Sequence, residues 1–281
     1  MPNEVLTKDQ TPALNFADVA SALEYWVQIS TDPRFSTITQ QSAGLATSTW
    51  TPPTNLTNAT KYYWRFRART SATLVTDQTN ATGGGSGNAL RDAAGNTGIA
   101  QTFTAGKNLP VKRITLSLKK TGSPVGNIWV EIWTTSGGTP SAQTGADSAV
   151  YAAADLTASF ADITFDFTTP IVLTDGVVYA IVFQGDFGVS GVNYVQWQHD
   201  GAGSYSAGSA YKHDAAVTWS ANGTNDQIFT TSTHNWAAWS PIWSFWVDTG
   251  AIVAVTPTAW TLVDPDETSD SYTFSVQPEY L

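Results

Sequence analysis

The sequence of 281 residues has a formal net charge of −10, no cysteine, 13% charged residues and 42% hydrophobic residues. The missing cysteines exclude disulfides, thiolate metal sites and cysteine nucleophiles, and the negative charge, without a basic patch, argues against a nucleic-acid partner. The aromatic content of 12% argues against a disordered chain. No run approaches the ~18 apolar residues of a membrane-spanning helix, so we expect no membrane insertion.

Alternation of apolar and polar residues dominates the chain and predicts an all-β fold. The pattern is clear in YWVQIS (25–30), YYWRFRA (62–68), RITLSLKK (113–120) and NIWVEIW (127–133). Clusters of glycine, proline, asparagine and serine separate these segments and are typical of turns. The one helix-like stretch, ADVASALE (17–24), is short and lacks a cap, so we predict a loop or a single turn there.

The first 70 residues contain two segments that belong to one recognisable pattern, TPALNFADVASALEYWVQISTDPRFST and TSTWTPPTNLTNATKYYWRFRART. Together they resemble a bacterial-type fibronectin type III domain, which is an immunoglobulin-like sandwich. The spacing from Leu56 to Tyr62 is similar to the tyrosine corner of that family, where the phenol ties a loop to the sandwich. Phe16 stands where the family usually has tryptophan, and we expect it to fill the same place in the core.

The last strand that the resemblance implies is displaced along the chain. After YYWRFRART the family continues with a short loop and a strand similar to NWSxWSPxWSFxV, whereas residues 71–82 read SATLVTDQTNAT. The matching stretch is NWAAWSPIWSFWVDTG at 235–250. The resemblance therefore implies a sandwich made of 1–71 and 233–250, with a second domain, 72–232, inserted between strands F and G. Such an insertion costs little, because closure entropy grows slowly with loop length.

The inserted segment resembles jelly-roll modules of phage structural proteins and bacterial surface proteins, which are similar in shape to carbohydrate-binding modules. The resemblance is carried by the stretches that begin GIAQTFTAGKNLPVKRITLSLKK, FADITFDFTTPIVLTDG and NYVQWQHDGAGSYSAGS. About eight strands in this length suit two packed sheets. Residues 251–281 contain two β segments around the acidic turn DPDETSD. They predict a C-terminal hairpin or arm that packs on the sandwich, exchanges with a neighbour, or begins a third domain.

Motifs for catalysis are missing from the sequence. His199, His213 and His234 lie in predicted loops or at strand ends, outside any zinc-protease or nucleophile-elbow pattern, so we expect no enzyme. No cofactor is expected apart from a structural calcium ion. RDAAGN offers Asp92 and Asn96 around a glycine turn, and Asp226 could join them, since hard cations prefer several oxygen ligands. The same residues are also ordinary turn formers.

Aromatic residues are the stronger functional signal. Trp129 and Trp133 share the face opposite the apolar Ile128, Val130 and Ile132, and further aromatic residues follow position 190. Sugar rings and protein partners both use such flat apolar surfaces, although burial in the core is the alternative for each of them. The candidate glycan-binding residues are Trp129, Trp133, Trp197, Tyr205 and Tyr211.

Three further tryptophans are candidate interface residues. Trp26 and Trp246 occupy predicted outward positions of the first sandwich, where the family usually has polar residues, and Trp260 lies in the C-terminal arm. Exposed tryptophan on a sandwich face indicates a partner. We expect Trp246 to be the first contact residue, with Trp26 as its companion.

Composition and the two resemblances favour a non-enzymatic virion surface protein, either a head-decoration or a tail accessory subunit of a phage. The N-terminus MPNEVLTKDQ lacks an apolar signal-peptide region, which fits either release without the secretory route or a sequence trimmed at its start. Its partners would be other virion proteins or further copies of itself, with the inserted module projecting outward. The alternative is a carbohydrate-binding or adhesin module of a secreted bacterial protein, with a cell-surface glycan as ligand.

Overall fold

A computed structural model describes residues 5–106, 110–213 and 218–249. These residues form an all-β fold, with one three-residue 3-10 helix at Ala153–Asp155. The strands are β1 Val5–Thr7, β2 Leu14–Asn15, β3 Glu24–Ser30, β4 Gln40–Leu45, β5 Thr49–Trp50, β6 Thr60–Arg69, β7 Leu74–Asn80, β8 Gly87–Leu90, β9 Gly98–Thr104, β10 Pro110–Thr121, β11 Asn127–Ser136, β12 Thr139–Gln143, β13 Tyr151–Ala152, β14 Ala161–Val172, β15 Val178–Gly185, β16 Tyr194–Gln198, β17 Ala210–His213, β18 Trp219–Ala221, β19 Phe229–His234 and β20 Trp243–Val247. Within the described ranges no helix is long and apolar enough to cross a bilayer.

The first sandwich combines the two ends of the described chain. Its five-stranded sheet has the order β1-β20-β6-β3-β4, and a two-stranded sheet pairs β2 with β5. Strand β20 runs antiparallel to β6, with Phe245 opposite Tyr62, and β1 runs parallel to β20. Residues 74–234 therefore separate β6 from β20 in the sequence, although the two strands are neighbours in one sheet.

Alternation along the strands fills the core of the first sandwich. The stretch 17–24, predicted as a loop or a single turn, has turn and irregular backbone over 17–23, and Glu24 begins β3. Tyr62 is buried, and its hydroxyl accepts the backbone N–H of Thr57 at 2.8 Å, which is the predicted corner. Phe16 packs on this core, with its ring stacked 4.2 Å from that of Phe66. The buried members of the core are Leu14, Val27, Ile29, Trp50, Leu56, Tyr62, Phe245 and Val247.

The second sandwich, residues 74–234, consists of two larger sheets. The six-stranded sheet has the order β7-β19-β10-β16-β8, with β14 also paired to β10. The seven-stranded sheet has the order β12-β11-β15-β9-β17-β18, with β13 also paired to β11. Apolar residues at every second position of both sheets meet between them, including Leu116 of β10, Val130 of β11 and Phe183 of β15. This is the larger core of the described chain, and it leaves the outer face of each sheet available for other contacts.

The second sandwich begins and ends at one place. Its first and last strands, β7 and β19, are antiparallel neighbours, with Leu74 opposite His234. Just outside them, the N–H of Asn235 donates to the carbonyl of Thr73 at 3.4 Å. The two connections between the first and the second sandwich are therefore adjacent.

The prediction of an exposed Trp26 is wrong. Its side chain is fully buried, at 0% exposure, although it lies on the outer face of the five-stranded sheet. The segment that precedes β20 covers it: the Trp236 and Trp239 rings lie 5.8 and 5.1 Å from the Trp26 ring, and the Arg67 guanidinium lies 4.0 Å away. The polar positions that the family resemblance implied are thus replaced by a cation–π layer within the chain itself.

Trp246 is 39% exposed on β20, opposite Lys61 on one side and Leu6 on the other. Its exposure agrees with the prediction, while a contact role for it stays a prediction. Trp246 and Trp26 do not form the expected pair, since Trp26 packs against Trp236 and Trp239. The C-terminal arm, with Trp260, lies outside the described residues.

Candidate functional site

The outer face of the seven-stranded sheet gathers the aromatic residues of the second sandwich. In β11, strict alternation places Ile128, Val130 and Ile132 in the core at 0% exposure. Trp129 and Trp133 consequently point to the opposite face, where both are half-buried. This confirms the predicted division of β11.

The register across the sheet brings distant segments onto the same face. Glu131 of β11 is paired with Val182 of β15, Val182 with Ala100 of β9, and Ala100 with Tyr211 of β17. Paired residues point to the same side of a sheet. Trp133 and Tyr211, which are 78 positions apart in the sequence, therefore lie on the same face of the sheet.

Small side chains form the floor of this surface. Ala100, Ala180 and Val182 are fully buried, although they lie on the outer side of the sheet. They are covered by the partly buried rings of Trp133, Tyr211 and Trp219. Alanine and valine leave room for these rings to lie over the strands, so we name the surface formed by Trp129, Trp133, Tyr211 and Trp219 the aromatic face.

Trp219 reaches across the sheet from the edge strand β18. Its ring lies 6.0 Å from that of Trp133, at an interplanar angle of 80°. A Cβ atom added at Gly98 would meet a Trp219 ring atom at 3.3 Å, so glycine at this position permits the approach. The His213 ring lies 4.8 Å from the Trp219 ring, and the Nδ1 atom of His213 is 2.9 Å from the Thr97 hydroxyl. The aromatic face thus carries polar groups beside its rings.

Glu131 fixes the orientation of two of the indoles. Its Oε1 accepts the Nε1–H of Trp129 at 2.9 Å, and its Oε2 accepts the Nε1–H of Trp133 at 2.6 Å. The residue is only 8% exposed, so these hydrogen bonds offset the cost of burying a carboxylate. The two rings are therefore held in place before any ligand arrives.

Two of the predicted glycan-binding residues do not belong to this face. Trp197 is a core residue with 0% exposure: its Nε1–H donates to the carbonyl of Ile228 at 2.7 Å, and its ring lies 5.9 Å from Phe183. The prediction of a ligand contact at Trp197 is wrong, because its strand β16 turns it between the two sheets. Tyr205 packs edge-on against Phe229 at 5.2 Å, away from the aromatic face.

Tyr205 lies instead beside a small cavity with Asp226. The backbone N–H of Tyr205 donates to Oδ2 of Asp226 at 3.0 Å, and burial raises the pKa of the Tyr205 hydroxyl to about 12. The cavity, of about 270 Å³, is lined mainly by glycine, serine and threonine. Its aromatic surface is limited to Tyr205, so it offers a poorer platform than the sheet face.

The predicted calcium ligands are not assembled. Asn96 donates its Nδ2–H to Oδ1 of Asp92 at 2.5 Å within a closed turn, as ordinary turn residues do. Asp226 instead accepts N–H groups of Gln101, at 3.2 Å, and Tyr205, and burial raises its pKa. Within the described ranges no group of three or more histidine, cysteine, aspartate or glutamate side chains could hold a metal ion.

The sequence did not reveal that Glu131, His213, Trp219 and Gln184 belong to one site; Gln184 lies on β15 as the register partner of Trp129. Glu131 could have been found, because it alternates with Trp129 and Trp133 in the sequence. His213 and Trp219 could not be placed, since β17 and β18 join the sheet through β9, more than 100 residues earlier in the chain. Strand pairing between such distant segments produces no local pattern in the sequence.

Comparisons with known proteins give no family for this chain. No family model and no curated protein matches it. A solved structure of the cysteine protease and lectin-like domains of Cwp84, a surface layer associated protein of Clostridium difficile, is 10% identical with a TM-score of 0.36. That match covers 68% of this chain, which spans only 40% of the length of that structure.

A second solved structure comes from work on the promiscuous specificity of carbohydrate-binding modules from the β-sandwich superfamily. It is 15% identical with a TM-score of 0.28, and the match covers 70% of this chain and 92% of that one. Because both TM-scores lie below 0.5, neither likeness carries a functional argument for this chain.

Proposed function

We propose that this chain is a non-enzymatic carbohydrate-binding protein whose glycan lies across the aromatic face. The observation that carries the proposal is the gathering of Trp129, Trp133 and Trp219 on one sheet face, over a floor of small residues. Aromatic rings offer a large flat apolar area at low entropic cost, which suits the apolar face of a sugar ring. The rings are partly exposed and already oriented, so binding would require little reorganisation.

Polar groups beside the rings suit the hydroxyls of a sugar. Gln184 is the register partner of Trp129, and the His213 ring lies beside that of Trp219 at a tilt of 43°. The carboxylate of Glu131 lies between Trp129 and Trp133 on this face, and both of its oxygens accept indole N–H groups. Glycoside hydrolysis commonly uses two carboxyl groups, one of them a free acid, so this arrangement supports binding rather than cleavage.

The proposal is tested by isothermal titration calorimetry with soluble neutral polysaccharides, namely galactomannan, xylan and mixed-linkage glucan. We expect at least one to bind, and we expect Trp129→Ala and Trp133→Ala to weaken that binding at least ten-fold. Trp246→Ala is the matched control, because it removes an exposed indole from the other sandwich. Absence of binding to all the polysaccharides, or equal affinity in the variants, would contradict the proposal.

The remaining parts of the sequence interpretation belong to this proposal. The corner formed by Tyr62 and the pairing of β20 with β6 support a fibronectin type III-like first sandwich. The two packed sheets of the second sandwich support a jelly-roll-like module. A glycan-binding protein of this kind would work outside the cell or at a cell surface. The virion role stays a prediction, which neither the described structure nor the comparisons support.

A further inference from the structure

A cavity of about 450 Å³ lies where the first sandwich meets the end of β14. Its principal lining residues are Gln28, Phe35, Gln41, Arg65, Leu173 and Trp239. The first sandwich contributes most of them, and Leu173 comes from the second sandwich. Among the residues that the structure describes, no aspartate or glutamate lines this cavity, although the whole chain carries a net charge of −10. The cavity is thus a local cationic site in an acidic protein, at the kind of junction where ligand sites are frequent.

The guanidinium of Arg65 is held between two aromatic rings. Its central carbon lies 4.1 Å from the ring centroid of Phe35 and 4.2 Å from that of Trp239. Phe35 has φ of 56°, a left-handed conformation that is costly for a bulky residue. The loop holds it there through a hydrogen bond from the Phe35 N–H to the Asp32 carbonyl at 2.9 Å. The plane of Arg65 is therefore set by the protein.

Donor-only groups determine the direction of a hydrogen-bond chain beside Arg65. Arg65 has no acceptor, so its Nε and Nη2 donate to Oε1 of Gln28, at 3.0 and 2.8 Å. The other end of the Gln28 amide, Nε2, then donates to Oε1 of Gln41 at 2.9 Å. The indole N–H of Trp26, which can only donate, reaches the same Gln41 oxygen at 3.2 Å. These donor and acceptor roles fix the orientations of the Gln28 and Gln41 side-chain amides.

The chain leaves N–H donors at the cavity. Within the described residues, Nη1 of Arg65 and Nε2 of Gln41 make no hydrogen bond, and both residues line the cavity. The neighbouring carboxylate of Asp32 is used inside its own loop, where it accepts the N–H groups of Arg34 and Ser36. Burial lowers the pKa of Arg65, which reflects partial removal of the guanidinium from water. The cavity therefore favours a ligand rich in acceptors and negatively charged.

We infer that this cavity is a second binding site, in which Arg65 and Gln41 hold the carboxylate of an acidic sugar such as a hexuronate. A planar guanidinium matches a carboxylate, and charge-assisted hydrogen bonds are stronger than neutral ones. The Thr37 hydroxyl at the same cavity suits the hydroxyls of the sugar ring, and the Ser36 hydroxyl, which donates to Asp32, can accept from one of them. A bare inorganic anion would leave most of the 450 Å³ unfilled. This site is separate from the aromatic face and does not depend on it.

Calorimetry with monosaccharides tests the ligand class. Glucuronate and galacturonate are the probes, glucose and galactose are their neutral counterparts, and acetate and sulfate are anions without a sugar ring. We expect the uronates to bind at least ten-fold more tightly than either comparison group. Equal affinity for the neutral sugars would overturn the role of the carboxylate, equal affinity for acetate or sulfate would overturn the role of the sugar ring, and a lack of uronate binding would overturn the site.

Variants test the location. Gln41→Glu keeps an acceptor for Trp26 and Gln28 but replaces the free N–H donor by a negative charge, so we expect at least a ten-fold loss of uronate affinity with little change in melting temperature. Arg65→Lys, which keeps the charge but loses the planar donors, should lose affinity similarly. Ala158→Glu adds the same charge at an exposed position before β14, at the opposite end of that strand from the cavity, and should bind normally. Unchanged affinity in folded Gln41→Glu, or a loss caused by Trp133→Ala, would overturn this assignment.

Discussion

A single carboxylate organises the aromatic face. Replacing it by an amide of nearly the same shape, in Glu131→Gln, would turn an NH2 group toward one of the two indole N–H donors. A buried donor without an acceptor costs about 1–3 kcal/mol, so we expect the variant to lose about that much free energy of unfolding. Urea denaturation measures the change. Asp162→Asn, at an exposed position of β14, makes the same chemical change and should cost far less; equal losses in the two variants would contradict the role of Glu131.

Asp200 predicts how stability depends on pH. Burial by itself would raise its pKa, but hydrogen bonds from Ser204 and from the backbone N–H groups of Asp226 and Ala202 outweigh this, and its pKa is lowered from 3.8. A carboxyl group with a lowered folded-state pKa stabilises the fold above its unfolded pKa, and that stabilisation is lost as the pH falls below it. We therefore expect the free energy of unfolding to drop as the pH falls below about 4.

The Asp200→Asn variant isolates this contribution. It should be less stable at pH 7 and should show a shallower decline in acid, because the group no longer titrates. Urea denaturation at pH 7, 4 and 3 provides the comparison. Asp18→Asn, at an exposed loop position, should follow the parent protein. A parent-like acid slope in Asp200→Asn would show that other carboxyl groups cause the decline.

At the scale of elements, both sandwiches contain the same corner. The N–H of Thr57 donates to the Tyr62 hydroxyl at 2.8 Å, and the N–H of Thr174 donates to the Tyr179 hydroxyl at 3.1 Å. The sequences that form the two corners, LTNATKY and LTDGVVY, share Leu-Thr and a tyrosine five positions after the threonine. Only the first was identified from the sequence, because a family resemblance drew attention to it. The second begins at the end of the stretch FADITFDFTTPIVLTDG, where the jelly-roll resemblance implied strands but no corner.

The two corners should respond alike to removal of the phenol oxygen. Tyr62→Phe and Tyr179→Phe each leave a backbone N–H without its acceptor, so we expect each to lose about 1–2 kcal/mol of unfolding free energy. Thermal denaturation of the two variants and of Tyr63→Phe, whose hydroxyl lies outside the corner, checks this. A loss at Tyr62 without one at Tyr179 would mean that the second hydrogen bond is replaced by water.

Alternation predicted which residues of a strand share a face, but not what covers that face. In β11 a period of two was enough to place Val130 in the core and Trp129 on the outer side. Trp26 shows the limit, because its outward position is correct while its exposure depends on Trp236 and Trp239, more than 200 residues later. Trp197 was assigned to a ligand although its strand turns it inward. Long-range packing decided both outcomes.

At the scale of the whole molecule, the order of the strands in the chain differs from their order in space. The displaced strand could be predicted because Phe245 and Val247 complete an alternating pattern that the first 70 residues leave unfinished, and both are buried in the first sandwich. The all-β class followed from the same periodicity. The aromatic face could not be predicted as a unit, since β11, β9 and β17 come together only when the second sandwich has folded.

This arrangement predicts that the second sandwich can be removed. Thr73 and Asn235 already share a hydrogen bond, so a chain lacking residues 74–234 needs only a short turn, such as Asn-Gly, to join them. A shorter loop costs less closure entropy, and the buried residues of the first sandwich all lie outside the deleted segment. We therefore expect cooperative urea unfolding and dispersed amide NMR signals from the shortened chain.

The decisive comparison is the same shortened chain without Trp243–Val247. Strand β20 supplies Phe245 and Val247 to the core and separates β6 from β1, so its removal should abolish folding. If both shortened chains fold, β20 is dispensable and the first sandwich ends at β6. If neither folds, the first sandwich depends on its contact with the end of β14, where Pro170 approaches Gly44. Only a folded chain with β20 and an unfolded chain without it fits a sandwich that is interrupted in sequence but continuous in space.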